Sequence, residues 1–357
     1  MSQHRDGDAL NTSPPDTGSP LATRPAAMAS VDTSSVTVSR RHSRLRLPEL
    51  STWSPVFAFA LLVLVFSLAQ PTTFFTRGTL LSILNDQAVL LMLALGLTVV
   101  LLCGEFDLSI ASTATIGGVL SAGLIGRHGL PTWVVLLVVL AAGAAAGFVN
   151  GVLVSRFAVP ALVATLAVSS ILDGLTLWYT NGATLFSNLP KSFLGIARTH
   201  VLGAEIPVFY ALALALGIAF ALRYTVTGRN LYAIGGSREA ARFSGIRVER
   251  HIVVAFMLSG MVAAAAGMVL TARNGSATPT AGAAYLLPAF AACFLGSATL
   301  RRGRFHVLGT VIAVYLIATG TAGFVILGAP FFTQQLFSGT VLILATAGAR
   351  LLNRRTK

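Results

Sequence analysis

Charge is scarce in this sequence. Only 10% of its 357 residues are Asp, Glu, Lys or Arg, whereas 55% are hydrophobic and the mean hydropathy is +0.78. Soluble domains average roughly 25% charged residues, so an ordinary water-soluble fold is excluded at the outset. Cysteine is nearly absent too. Cys103 and Cys293 are the only two, both inside or at the edge of apolar runs, so neither a disulfide framework nor a metal cluster is expected. No G-x-x-x-x-G-K-[ST] phosphate cradle, H-E-x-x-H zinc motif or G-x-S-x-G nucleophile elbow occurs. An enzyme working inside a membrane would need paired acids or a histidine cluster at depth, yet His4, His42, His128, His200, His251 and His306 fall in the tail, loops or span ends. No cofactor is therefore expected on this chain, and any nucleotide that drives it must sit on another subunit. The formal charge of +13 comes from short arginine clusters between apolar runs, not from a continuous basic face, so no nucleic-acid partner is expected.

What the sequence has in quantity is apolar runs. A helix needs about 20 apolar residues to cross the hydrocarbon core. Ten such runs are legible, at about 53–70, 80–103, 108–126, 131–154, 159–180, 206–223, 252–271, 284–300, 306–327 and 331–349. The expected fold is an all-α integral membrane protein of about ten transmembrane helices, with a polytopic domain over 51–350. Residues 1–50, rich in Ser, Thr, Pro and Asp and lacking an apolar segment, are expected to be a disordered cytoplasmic tail, and 351–357 a second cytoplasmic tail.

Arginine fixes the expected direction. Arg40, Arg41, Arg44 and Arg46 precede the first run. With alternating spans, the same side receives the 224–251 loop (Arg229, Arg238, Arg242, Arg247, Arg250), the 301–305 turn (Arg301, Arg302, Arg304) and the carboxyl end (Arg350, Arg354, Arg355, Lys357). The opposite loops hold scattered Arg77, Arg127, Lys191, Arg198 and Arg273. Under the positive-inside rule both termini are expected to be cytoplasmic. Small residues recur every fourth position at Ala114, Gly118, Ala122 and Gly126, and again at Gly143, Gly147 and Gly151. Such stripes let helices approach closely in lipid. Irregular backbone is expected near Gly104 and Pro288.

Seven acids lie beyond residue 50, and two of them, Asp86 and Asp173, fall well inside spans. An acid in hydrocarbon is costly and ordinarily faces a cavity, a partner or a pathway. Asn85 and Gln87 flank Asp86 and add hydrogen-bonding capacity. Snorkelling of both acids to the outer interface is the competing reading. In the 224–251 loop, Ser237 to Ile246 reads as a helix of about two turns, capped by Ser237, helped by Glu239 near its positive end and stopped by a left-handed Gly245. So short a helix is marginal alone and needs a surface, for which a protein suits better than lipid.

The run Thr227-Gly228-Arg229-Asn230-Leu231-Tyr232-Ala233-Ile234-Gly235-Gly236, followed by Glu239-Ala240-Ala241-Arg242 and Ser244-Gly245-Ile246, closely resembles the permease subunits of ATP-binding-cassette sugar importers of the ribose and xylose type. Gly104-Glu105-Phe106-Asp107-Leu108-Ser109 is similar to the family's Gly-x-x-Asp-Leu-Ser segment. Asn150-Gly151, Thr165-Leu166, Ala272-Arg273, Ser276, Pro279, Gly282 and Tyr285 match as well. The resemblance implies that Gly228, Arg229, Gly235, Gly236, Glu239, Ala240, Ala241, Arg242 and Gly245 belong to a coupling helix docking on a cytoplasmic ATPase, which would bind ATP and magnesium. It further implies a second permease copy, identical or a close paralogue, and an extracytoplasmic solute-binding protein as partners, besides membrane lipid. Asn85, Asp86, Gln87, Asp107, Ser109, Asn150 and Asp173 are then candidates for the translocation path of a monosaccharide or similar polar solute. The sequence departs from the family at Ser237 (commonly Asn), Leu286 (usually an acid), Gly296-Ser297 (typically a Gly pair), Arg301 to Arg304 (a Gly-rich turn) and Asp86 (more often an amide), which bears on the particular sugar. A branched-chain amino acid permease is the nearest alternative. A proton-coupled secondary transporter or an intramembrane enzyme is more distant, since neither accounts for the Glu-Ala-Ala loop.

Overall fold

The computed structural model describes residues 54–186, 189–298, 303–330 and 332–354. The chain divides into two units, Met1–Arg46 and Leu47–Lys357. The tail expected over 1–50, Arg301 and Arg302, and Arg355 and Lys357 lie outside the described residues, as do the side chains of Arg350 and Arg354.

In chain order the helices are α1 (Ser54–Ala69), α2 (Arg77–Leu102), α3 (Ile110–Gly126), α4 (Thr132–Ser155), α5 (Ala161–Thr180), α6 (Lys191–Arg198), α7 (Ile206–Tyr224) and α8 (Val226–Gly236). They continue as α9 (Arg238–Phe243), α10 (Val248–Asn274), α11 (Ala283–Ala298), α12 (Val307–Ile326) and α13 (Phe332–Arg354). A short hairpin, β1 (His200–Val201) and β2 (Ala204–Glu205), separates α6 from α7. Each expected span falls on one apolar helix. Among the described residues, α2, α4, α5, α7, α10 and α12 are long and apolar enough to cross a membrane. The apolar stretches of α1, α3, α11 and α13 are shorter, at 10–17 residues.

Burial separates these helices into roles. In α2 every residue from Ala88 to Leu102 is buried, so that stretch has no exposed face and is wrapped by neighbours. By contrast, α4, α5 and α7 hold Trp133, Leu166, Trp178, Leu216 and Phe220 outward, an apolar exterior that suits lipid and not water. The glycine stripe of α4 faces α10. A methyl group on Gly143 or Gly147 would run into the Gly260 or Phe256 carbonyl oxygen, so the two backbones touch because side chains are absent there.

Three local expectations are corrected. The polypeptide does break at Gly104 (φ 78°), but Pro288 lies within the unbroken α11. It sits in the second turn, where its missing N–H forfeits only the bond to the Ala284 carbonyl. The 224–251 loop holds two helices, not one, because residues 226–236 form α8 ahead of α9. Finally, the segment 191–205, read as an outer loop, is ordered as α6 and the hairpin. Pro190 opens α6, and Phe193 and Ala197, four residues apart, bury its one apolar face.

Candidate functional site

At the end of the bundle that carries the hairpin, six residues from four elements form one polar network. Leu202 (φ 55°) and Gly203 (φ 92°) turn the hairpin through two left-handed positions, the geometry that matches strand twist. This brings Glu205 to α2 and α10. The Glu205 N–H donates to Asn85 Oδ1 at 2.9 Å, and Arg273 Nε donates to Glu205 Oε2 at 2.8 Å. The same guanidinium donates to Asp86 Oδ1 at 2.7 Å, while Ser82 Oγ donates to Asp86 Oδ2 at 3.1 Å. Arg198 Nε holds the Arg273 carbonyl at 2.9 Å. One arginine therefore answers two carboxylates, with one charge-assisted N–H bond to each. The side chains of Arg273 and Glu205 are 24% and 17% exposed and that of Asp86 is 54%, so Asp86 is the member turned outward.

Asp86 is turned toward space. A cavity of about 590 Å³ is lined by Asp86 and Gln87 of α2, Tyr285 of α11, Thr321 of α12, and Gln334 and Ser338 of α13. An adjoining cavity of about 300 Å³ shares Asp86, Gln87, Thr321 and Gln334. Leu90, Leu287 and Ile317 supply the apolar part of the wall. The size is that of a small-molecule site. Amides, hydroxyls and one carboxylate offer donors and acceptors in turn, and no cation lines the wall among the described residues. The lining suits a neutral polyhydroxy solute better than an anion.

A second cluster lies at the break between α2 and α3 and is almost wholly buried. Asp107 Oδ1 accepts from the Ser109 N–H (3.0 Å) and hydroxyl (2.6 Å), and Oδ2 accepts from Ser259 Oγ of α10 at 3.0 Å. Asn150 Nδ2 of α4 donates to Ser109 Oγ at 2.7 Å. Asp107, Ser109, Asn150 and Ser259 are all at most 1% exposed, so these bonds work in a low dielectric and pin α4 and α10 to the break. They do not line the cavity. The side chain of Asp173, half-buried on α5, makes no hydrogen bond among the described residues and joins neither group. The seven residues proposed for one path therefore divide into Asn85–Gln87 beside the cavity, the Asp107–Ser109–Asn150 cluster, and Asp173 alone.

The α8–α9 segment lies at the bundle end opposite the hairpin. Thr225 caps α8, accepting from the buried Gly228 N–H at 3.1 Å, and Arg229 donates to the Tyr224 carbonyl at 3.4 Å. Gly235 rests against the Leu102 carbonyl at the end of α2, where no side chain fits, while Gly236 stands in open space. In α9 the anticipated caps are present: Ser237 Oγ accepts from the Ala240 N–H at 3.2 Å, and Gly245 takes φ 78°. Ala241 is buried. Glu239, Ala240 and Arg242 are exposed, and Phe243 is 92% exposed. Arg242 pairs with Glu249 at 2.5 Å, and Arg238 pairs with Glu105 in the α2–α3 break.

A model of the family described as branched-chain amino acid transport system / permease component matches residues 79–346, which takes in the cavity, the buried cluster and α8–α9. The chain belongs to this permease family. It is 34% identical over 295 residues to the ribose import permease protein of Escherichia coli K12, covering 81% of this chain and 91% of that protein. The ribose import permease protein of Bacillus subtilis 168 is 35% identical over 303 residues, covering 84% and 92%. The D-allose transport system permease protein of E. coli K12 is 30% identical over 298 residues, covering 84% and 91%. No solved structure matches. Family membership and the apolar helices together make this permease a multi-pass membrane protein and a transport subunit.

Proposed function

We propose that this permease is the membrane-spanning subunit of an ATP-binding-cassette importer that moves a monosaccharide or related small polar solute into a bacterial cytoplasm. The observation that carries the reading is its likeness, along nine-tenths of their length, to ribose import permeases. The polar, cation-free cavity beside Asp86 supports a neutral polyhydroxy solute. Two copies, or one copy and a close paralogue, enclose the path in the cytoplasmic membrane. A separate ATPase binds ATP and magnesium, and an extracytoplasmic binding protein delivers solute at the hairpin end. Exposed Glu239, Ala240, Arg242 and Phe243 on α9 present the coupling surface to the ATPase, with both termini on that side.

The family description favours one second reading, import of a branched-chain amino acid. A zwitterion needs a counter-charge for its carboxylate, and the described cavity wall has none, which argues for the sugar. Uptake separates the two. Radiolabelled D-ribose, D-allose and L-leucine are offered to a strain lacking this gene and to the restored strain. Restoration of leucine uptake alone would overturn the sugar reading, whereas restoration of a monosaccharide supports it.

A further inference from the structure

The ion pair between Arg238 and Glu105 joins two parts of the permease that are 133 residues apart in sequence. Arg238 is the first residue of α9, and its side chain is 45% exposed. Glu105 lies one residue past Gly104 in the α2–α3 break, and its side chain is 8% exposed. Glu105 is thus the buried anchor and Arg238 the strap. The break to which it ties is also the point from which the Asp107 cluster reaches α10 and α4, and Phe106 stacks on Phe290 and Phe294 of α11 at 6.4 and 6.3 Å.

The helix that leads away from this break ends at the solute cavity. From Leu102 back to Asp86, α2 runs roughly 24 Å at 1.5 Å per residue and is buried throughout from Leu102 to Ala88. Its far end supplies Asp86 and Gln87 to the cavity wall. The loop end also has room for movement. A space of about 150 Å³ is lined by Leu101, Leu102, Tyr232, Gly235 and Phe305, although Gly235 itself stays against the Leu102 carbonyl.

We propose that Arg238 and Glu105 are positioning residues through which a displacement of α9 is passed to α2 and so to the cavity at the opposite end of the bundle. This rests on the importer reading above, since it is the ATPase that moves α9. A helix wrapped on every side transmits an axial shift, because its packed neighbours leave it no way to absorb the shift by bending. A short exposed helix held otherwise by Ala241, its caps and the exposed Arg242–Glu249 pair has no other charged tie to the break.

The test needs no knowledge of the solute. Ser338→Cys places a thiol in the cavity wall, and both native cysteines are buried, so labelling by a membrane-impermeant maleimide reports the cavity. The permease is purified with its co-purifying ATPase, and the labelling rate is measured with and without ATP and vanadate. The double variant E105Q/R238Q removes both charges together and so leaves no orphaned buried ion. In the otherwise native complex the rate is expected to change roughly fivefold or more on trapping. In E105Q/R238Q that response is expected to vanish although the ATPase still co-purifies, and R238K, which keeps the pair, is expected to retain it. An undiminished response in E105Q/R238Q would overturn the proposal, as would loss of the response in R238K with the ATPase still bound. Failure of an ATPase to co-purify with the native chain would instead remove the importer reading, and the tie would fall with it.

Discussion

Asp86 stands at the meeting point of a charge network and a cavity, and those two surroundings ask different things of it. Its bond to Arg273 orders the hairpin end, but Arg273 keeps Glu205 if Asp86 loses its charge. With Asp86 more than half exposed, removing its charge is expected to cost under about 1 kcal/mol of stability after solvent screening. If its outer oxygen receives a solute hydroxyl, losing that charge-assisted bond costs about 1.5 kcal/mol, or roughly tenfold in apparent affinity. Asp86→Asn is therefore expected to raise the half-saturating solute concentration about tenfold in uptake assays while the folded yield stays unchanged. Equal uptake would confine Asp86 to tying the network. At this scale the sequence marked Asp86 by its rarity, but nothing in it marked Arg273 as the partner, because the two are 187 residues apart. Glu105 is equally unmarked, because its partner Arg238 is 133 residues away. Ser237 and Gly245 were legible because caps are local, set within three residues of what they cap.

Among elements, the α4–α10 contact is the one where sequence pattern and packing agree most directly. A stripe of glycines every fourth residue has one physical use in a bundle, close approach, and Gly147 meets the Phe256 carbonyl with no space for a methyl. Gly174 on α5 has nothing within 4 Å of an added methyl. Gly147→Val is expected to abolish the monodisperse peak in size-exclusion chromatography of detergent extracts. Gly174→Ala is expected to leave it intact or raise its thermal midpoint, since alanine gains up to about 1 kcal/mol over glycine in a helix. Matching behaviour of the two variants would contradict the packing assignment. Ten apolar runs gave ten apolar helices because hydropathy is a sum over many residues and tolerates local error. The short elements α6, α8 and the hairpin were missed because each carries too few apolar residues for such a sum. The pair Phe193 and Ala197 after Pro190 is the only sequence signal of α6, while α8 holds three glycines, which mask its helical pattern.

In the whole molecule, two separated regions stand at opposite ends of α2, in keeping with the separate expectations of a path and a coupling segment. The hairpin end holds a polar cavity, and the loop end holds an exposed helix with a buried anchor, as a driven transporter requires if energy arrives on one side and solute on the other. The measurement that bears most directly on this division is gentle solubilisation of the tagged permease, identification of co-purifying proteins by mass spectrometry, and assay of ATP hydrolysis in the eluate. The expected result is a stoichiometric ATP-binding subunit with hydrolytic activity, retained by the native chain and lost from Glu239→Arg, whose altered side chain is exposed on α9 and leaves the bundle untouched. A well-folded eluate containing this chain alone and hydrolysing no ATP would contradict the account and direct attention to proton-coupled uptake.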